Sequence, residues 1–339
     1  MTETDAYVGT YTDGESAGIY RLPHTGDDGA ATLAAAADNP SYLAAHPSRD
    51  RLYAVNELDE GAVTAFSIDA DGSLTELDRR LIGPADPCHC SVHPSGEYLF
   101  VAHYTGGSIS VLAIDTDGRL GDPTVIDHAG SSVDPDRQAS PHPHTIRPAP
   151  TGDIVYVADL GTDEIVRYDF EEETGDLQRA GATPLHDGAG PRQFDFGPDG
   201  RLYCINELDS TLSVFSIEDD GDLTHVETVA TVPPEFDDEN LPGAVAVHPS
   251  GAFVYGSNRG HDSVAVFEIT ADGLRTIQIE SVRGEWPRDF AIDPSGKRLS
   301  VANADSDVIV PFDIDASTGR IDATGESIDV PDPVCVRPY

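Results

Sequence analysis

Arg192 and Arg288 stand 96 residues apart, each directly behind a proline, in the segments GAGPRQF (188–194) and GEWPRDF (284–290). The chain has 61 acidic against 20 basic residues, Lys297 being its one lysine, so a repeated Pro-Arg pair asks for a reason. Two guanidinium forks brought to one point suit a carboxylate or phosphate, because each offers parallel N–H donors in a fixed plane. His144, in SPHPHTI, could take or give a proton near neutral pH, and Glu207 could orient it or activate a water. Arg259 adds a third fork. Plainer readings stand beside these: arginines that cap strands and offset an acidic surface, and a histidine that hydrogen-bonds a loop.

For such residues to meet, the fold must bring together positions from 144 to 288. The internal repeat supplies the means. HPSRDRLYAVNELDEGAVTAFSIDADGSLTEL (46–77) recurs in altered form from 93, 149, 197, 248 and 293, and a degenerate first copy occupies 5–22. The residues closing the second strand of each unit are Thr10, Asn56, His103, Asp159, Asn206, Asn258 and Asn303, in steps of 46, 47, 56, 47, 52 and 45. That period, with short strands of period two separated by Gly/Asp/Pro turns, predicts an all-β, seven-bladed propeller of four antiparallel strands per blade, in one domain spanning 1–339. The first copy lacks an inner strand, and PVCVRPY (333–339) matches it. The C-terminus is therefore expected to complete the blade of residues 5–33 and close the ring.

Pro40, Pro87, Pro143, Pro191, Pro242, Pro287 and Pro333 each begin an inner strand, where a missing N–H does no harm to the ladder. The residues after them, Ser41, Cys88, His144, Arg192, Gly243, Arg288 and Val334, should ring one mouth of the central channel. Antiparallel pairing brings the ends of the second strands to the same mouth. Glu207 and Arg259 thereby join the predicted catalytic set with His144 and Arg192, and His103, Asn206 and Asn258 join Arg288 as substrate contacts. His142 and His89 are weaker candidates, and asparagines at strand ends also serve simply to bond the adjacent turn.

Other patterns carry less. DADGSL (69–74), DTDGRL (115–120) and EDDGDL (218–223) resemble the start of a calcium loop but lack its glutamate at position 12, and they recur as hairpin turns do. HPS at 46, 93 and 248 recurs at the turn after an inner strand. CHC (88–90) has no second Cys/His pair at metal-ligand spacing, and the four cysteines are too few for a disulfide scaffold. No G-x-S-x-G is present, against a serine hydrolase. No metal or cofactor is expected.

The net charge of −41 excludes the function classes that need clustered Lys and Arg, nucleic-acid binding and attachment to anionic membranes. Such self-repulsion is tolerable where salt is molar and the Debye length is roughly 3 Å, which reads as a halophile's protein. With no signal-like leader and no apolar run near the roughly 20 residues that span a bilayer, a soluble, cytoplasmic location is expected.

ASPHPHTI (139–146), GAGPRQFDFGPDGRLYCINELDSTLSVF (188–215), GSNRGHDSVAVFEI (256–269), PRDFAIDPSGKRLSVANADSDVIVPFDID (287–315) and PVCV (333–336) resemble the lactonase family of seven-bladed propellers, which includes propeller-type 6-phosphogluconolactonases and carboxy-cis,cis-muconate cyclases. The resemblance covers nearly the whole chain. It implies that His144, Arg192, Glu207 and Arg259 are the central polar residues, with acid/base and carboxylate-binding roles. Many relatives read Gly-Pro-Arg-His where this chain has Gln193, and strict strand alternation would turn residue 193 away from the face used by Arg192. The expected reaction is hydrolysis of a sugar lactone, a small anionic substrate held by Arg192, Arg259 and Arg288 while His144, helped by Glu207, deprotonates water. The alternatives are a cycloisomerase acting on a muconate-like dicarboxylate and a propeller that only binds a partner.

Overall fold

The structure, a computed structural model, describes residues 6–22 and 30–339. Residue 5 and the segment 23–29, both within the range expected for the first blade, lie outside the described residues. Seven sheets of antiparallel strands follow one another along the chain, and one short 3₁₀ turn, Ala304–Ser306, is the helical element among the described residues. None is long and apolar enough to cross a membrane.

Each blade reads from the channel outward. Blade 5 is typical: Pro191–Phe196, Arg201–Asn206, Thr211–Ile217 and Leu223–Ala230 pair in that order. Second strands such as Leu52-Tyr53-Ala54-Val55 have no exposed surface, because both faces pack on neighbouring blades. Two buried faces explain why these strands are continuous apolar runs and do not alternate. Alternation survives on the outermost strands, for example Asp176–Pro184, which has one face in water.

The ring closes as the sequence predicts. Pro333–Pro338 is the inner strand of blade 1 and pairs with Ala6–Thr10, with Ala6 opposite Pro338 and Val8 opposite Val336. Val8, Leu22, Ala302, Ile309 and Val336 then form the core between blades 7 and 1.

The discounted motifs turn out to join blades. Tyr7, Tyr53, Tyr156 and Tyr255 each donate a hydroxyl to the turn carbonyl of the next blade, at Gly72, Gly118, Gly221 and Gly319, over 2.9, 3.2, 2.6 and 2.8 Å. The histidines of the HPS turns do the same on the inner side: His46, His93 and His248 reach the carbonyls of Gly96, Gly152 and Gly296 through Nε2.

Candidate active site

The mouth is built by a bulge. Pro87, Pro143, Pro191, Pro287 and Pro333 sit opposite His103, Asp159, Asn206, Asn303 and Thr10, but the next paired residue is two further along, so Cys88, His144, Arg192, Arg288 and Val334 have no partner on the second strand. Blade 6 skips Gly243 and Ala244 in the same way. A bulge re-aims the unpaired side chain, and here its repetition turns a residue of blades 1 and 3 to 7 toward the axis, while the inner strand of blade 2, Tyr42–Ala45, pairs without a bulge. Gly243 takes the arginines' position in blade 6. A Cβ there would come within 2.7 Å of the Arg288 carbonyl oxygen and 2.8 Å of Ser257 Oγ, so a side chain is shut out by the next inner strand.

Glu207 is the centre of the cluster. Its Oε2 accepts from Arg192 Nε at 2.8 Å and from Arg259 Nη2 at 2.6 Å, and its Oε1 accepts from Arg137 Nη2. Burial alone would raise the Glu207 carboxyl, but Arg259, Arg192, His144 and Arg137 hold it well below the usual carboxylate range. One carboxylate among three guanidinium groups leaves positive charge at this point of a strongly acidic protein. Arg192 and Arg259 are themselves buried and tied to main-chain oxygens, Arg192 to Gly243 and Arg259 to Leu241 at 2.7 Å and Pro242 at 3.1 Å. Glu207 therefore orients the arginines; no hydrogen bond joins it to His144, contrary to the expectation that it positions the histidine.

His144 is 5% exposed, with Nδ1 buried and unpartnered, and its ring meets Tyr104 edge-on at 5.8 Å. Burial, with Arg192 beside it, pushes its pKa well below that of free histidine, against a smaller opposing pull from Glu207. The imidazole is thus neutral at neutral pH. Arg288 stands across the mouth, half-buried, its Nη2 2.5 Å from Tyr11 Oη and its guanidinium carbon 5.1 Å from the Tyr11 ring centre. Tyr11 in turn donates to Glu57 at 2.9 Å.

Three expected substrate contacts are elsewhere. His103 has no exposed surface and spends Nε2 on Ser110 at 2.8 Å; Asn206 donates to Thr211 and Ser213; Asn258 bonds Thr231, Asn240 and Ser263. His103 and Asn206 are spent on the third strand of their own blade, and Asn258 on Ser263 of its own and on the connection that precedes it; it is the next residue along, as in Glu207 and Arg259, that reaches the mouth. His142 stacks on Tyr104, with ring centres 4.5 Å apart, and shares Nδ1 with the Tyr104 carbonyl. Gln193 and Arg192 face different spaces: next to the bulge, Gln193 lines the channel below while Arg192 serves the mouth.

Tyr11 and Tyr104 occupy the offset of Glu207 and Arg259, so applying that offset to every blade would have found them. Arg137 lies in the long connection between blades 3 and 4, outside the repeat, where no periodic signal exists.

The family described as Lactonase, 7-bladed beta-propeller, matches residues 5–338. The chain belongs to this family. It is 35% identical to the 6-phosphogluconolactonase of Bacillus subtilis (strain 168), with 99% of each chain covered. Among solved structures it resembles the periplasmic gluconolactonase of Pseudomonas aeruginosa, at 33% identity, a TM-score of 0.93 and 99% of each chain. A protein from Lactobacillus plantarum superposes with a TM-score of 0.94 at 31% identity over 100% of both chains. The likeness extends over all seven blades of this lactonase-family chain, including those that carry the Glu207 cluster.

Proposed function

We propose that the protein hydrolyses a sugar lactone, foremost 6-phosphogluconolactone, at the mouth that holds His144, Arg288 and the Glu207 cluster. The observation that carries this reading is a neutral imidazole set beside guanidinium groups whose summed charge exceeds that of the carboxylate they share. A water at the mouth gives its proton to His144 as its oxygen attacks the lactone carbonyl. The tetrahedral oxyanion forms beside fixed positive charge, the kind of preorganised stabilisation that acts on the transition state. The ring C–O bond then breaks, and the departing alkoxide takes the proton back from His144, leaving an open-chain hydroxy acid.

Arg288 and Arg137, the more exposed members, hold the substrate's phosphate, with Arg137 34% exposed. Buried Arg192 and Arg259 supply field and position. Family membership and the 6-phosphogluconolactonase name of a relative with 35% identity support the choice of substrate.

We further propose that the enzyme works in the cytoplasm of a high-salt cell, on the strength of its net charge of −41. Lowering the salt from molar to about 0.1 M lengthens the Debye length to about 10 Å and should lower the unfolding temperature steeply; equal stability in the two buffers would remove the high-salt reading.

The reaction is tested by assaying 6-phosphogluconolactone, an unphosphorylated gluconolactone and carboxymuconate at molar salt. The phosphorylated lactone should turn over fastest. Turnover of carboxymuconate alone would replace hydrolysis by cycloisomerisation, and no turnover would leave a binding propeller.

A further inference from the structure

Below the mouth the channel opens into a cavity of about 600 Å³ to which all seven blades contribute. None of the residues that cluster around Glu207 lines it. Its walls carry two ion pairs. Arg147 Nη1 donates to Asp195 at 2.8 Å and to the Phe194 carbonyl at 3.0 Å, and Arg337 Nη1 donates to Asp289 at 2.8 Å and to the Val336 carbonyl. The carboxylates are well supplied with donors. Asp195 also accepts main-chain N–H groups from Phe196 and Val247, each at 2.9 Å, and Asp289 accepts from Val336 at 3.0 Å.

The donors are not matched by acceptors. A guanidinium has five N–H groups, and the bonds above use only those on Nη1; Arg337 also bonds the Tyr42 hydroxyl, which still leaves unused donors on each arginine. Thr145 lines the cavity, is 1% exposed, and its hydroxyl has no partner. Gln193 also lines the cavity. His89, neutral because burial and then Arg147 and Arg337 hold its pKa low, accepts the Ile146 N–H on Nδ1 at 3.4 Å, which puts its own proton on Nε2. The space is thus lined by spare donors, charged on two sides and uncharged between, and the charged donors belong to blades 4 and 1, which are not neighbours. Arg337 is held over the Tyr42 ring, its guanidinium carbon 4.2 Å from the ring centre, so one of the two charges is fixed in place before any ligand arrives.

We propose that this cavity is a second binding site, separate from the mouth, for a small anion with an acidic group at each end, such as a dicarboxylate. Each end meets a guanidinium, and the middle meets Thr145, Gln193 and His89. A single phosphate fills only a small part of the space and engages one arginine at a time.

Calorimetric titration of the folded full-length protein with succinate, and separately with inorganic phosphate, tests this. Succinate should bind one to one and at least tenfold more tightly than phosphate. The affinity should be unchanged by Arg192→Gln and Arg288→Gln and reduced at least tenfold by Arg147→Gln or Arg337→Gln. Because those last variants leave a carboxylate unpaired and could fail to fold, Thr145→Val and Gln193→Leu, which keep both ion pairs, serve as well and should each weaken succinate several-fold at an unchanged unfolding temperature. Succinate binding that disappears with Arg192→Gln or Arg288→Gln would place the ligand in the mouth, and no binding, or binding indifferent to Thr145→Val and Gln193→Leu, would overturn the proposal. These readouts do not involve turnover, so they stand whichever way the lactone assay falls.

Discussion

Arg192 reaches across 15 residues of its own blade to Glu207, donating Nε to Oε2 at 2.8 Å with both side chains almost wholly buried. Neither group could be left alone at that depth. Removing one partner of a buried ion pair strands the other charge and costs about 3–5 kcal/mol. Glu207→Gln should therefore lower the unfolding free energy by about that amount as well as abolish turnover. A variant as stable as the wild type, by denaturant titration at fixed salt, would mean the arginines are held by their carbonyl contacts alone.

Arg192 and Arg288 share a motif but not a situation. Arg288→Gln removes a half-exposed fork, and charge-assisted bonds of that kind are worth roughly 1.5–3 kcal/mol, or about ten- to a hundredfold in kcat/KM. The loss should be greater on the phosphorylated lactone than on the neutral one. Arg192→Gln should lower kcat on both lactones alike and also lower the unfolding temperature. The same pattern from both variants would show that the two arginines are equivalent after all.

What the sequence showed and what it hid divide along the repeat. Blade count, strand order and the closing role of PVCVRPY follow from spacing and from a period-two pattern bounded by turns, and they are as expected. Glu207 and Arg259 were legible because their offset is periodic. The bulge was not, since a one-residue slip in pairing leaves no mark on composition. The inward turn of His103, Asn206 and Asn258 was hidden for a related reason: a polar residue at a strand end reads the same whether it meets ligand or its own blade.

The acid side of the stability profile should be set by histidines. His103 falls from 6.5 to about 4 on folding because it is buried, and His144 and His89 are lowered as well. A group with a lowered pKa is neutral in the folded chain while the unfolded chain takes up a proton, so its stabilisation is complete above about pH 6.5 and is lost as pH falls toward the folded value. For His103 the loss is on the order of 3 kcal/mol. Unfolding free energy at constant salt should decline from pH 6.5 to pH 4, and His103→Asn should flatten that slope. Activity should keep its base form through the same region: kcat/KM that falls with an apparent pKa of 6.5 would show His144 to be an ordinary solvated histidine.

The closing strand makes the ring continuous. We propose that residues 1–339 fold as one domain, so deleting 331–339 should abolish the single unfolding transition of the whole chain. A truncated protein that melts at the original temperature would show that blade 1 holds without its inner strand.

The tyrosine contacts between blades span 65, 65, 65 and 64 residues where the connection is short. Around the long connection of blades 3 and 4, Tyr98 finds the Glu172 carbonyl at 2.8 Å over 74 residues. The circumference is thus set by contact between blades, while the amount of chain between contacts is free to drift. A connection at the mouth can grow without loosening the ring, which is how Arg137 could be recruited from outside the repeat, and grafting different loops between these blades is a route to new substrates on an unaltered frame.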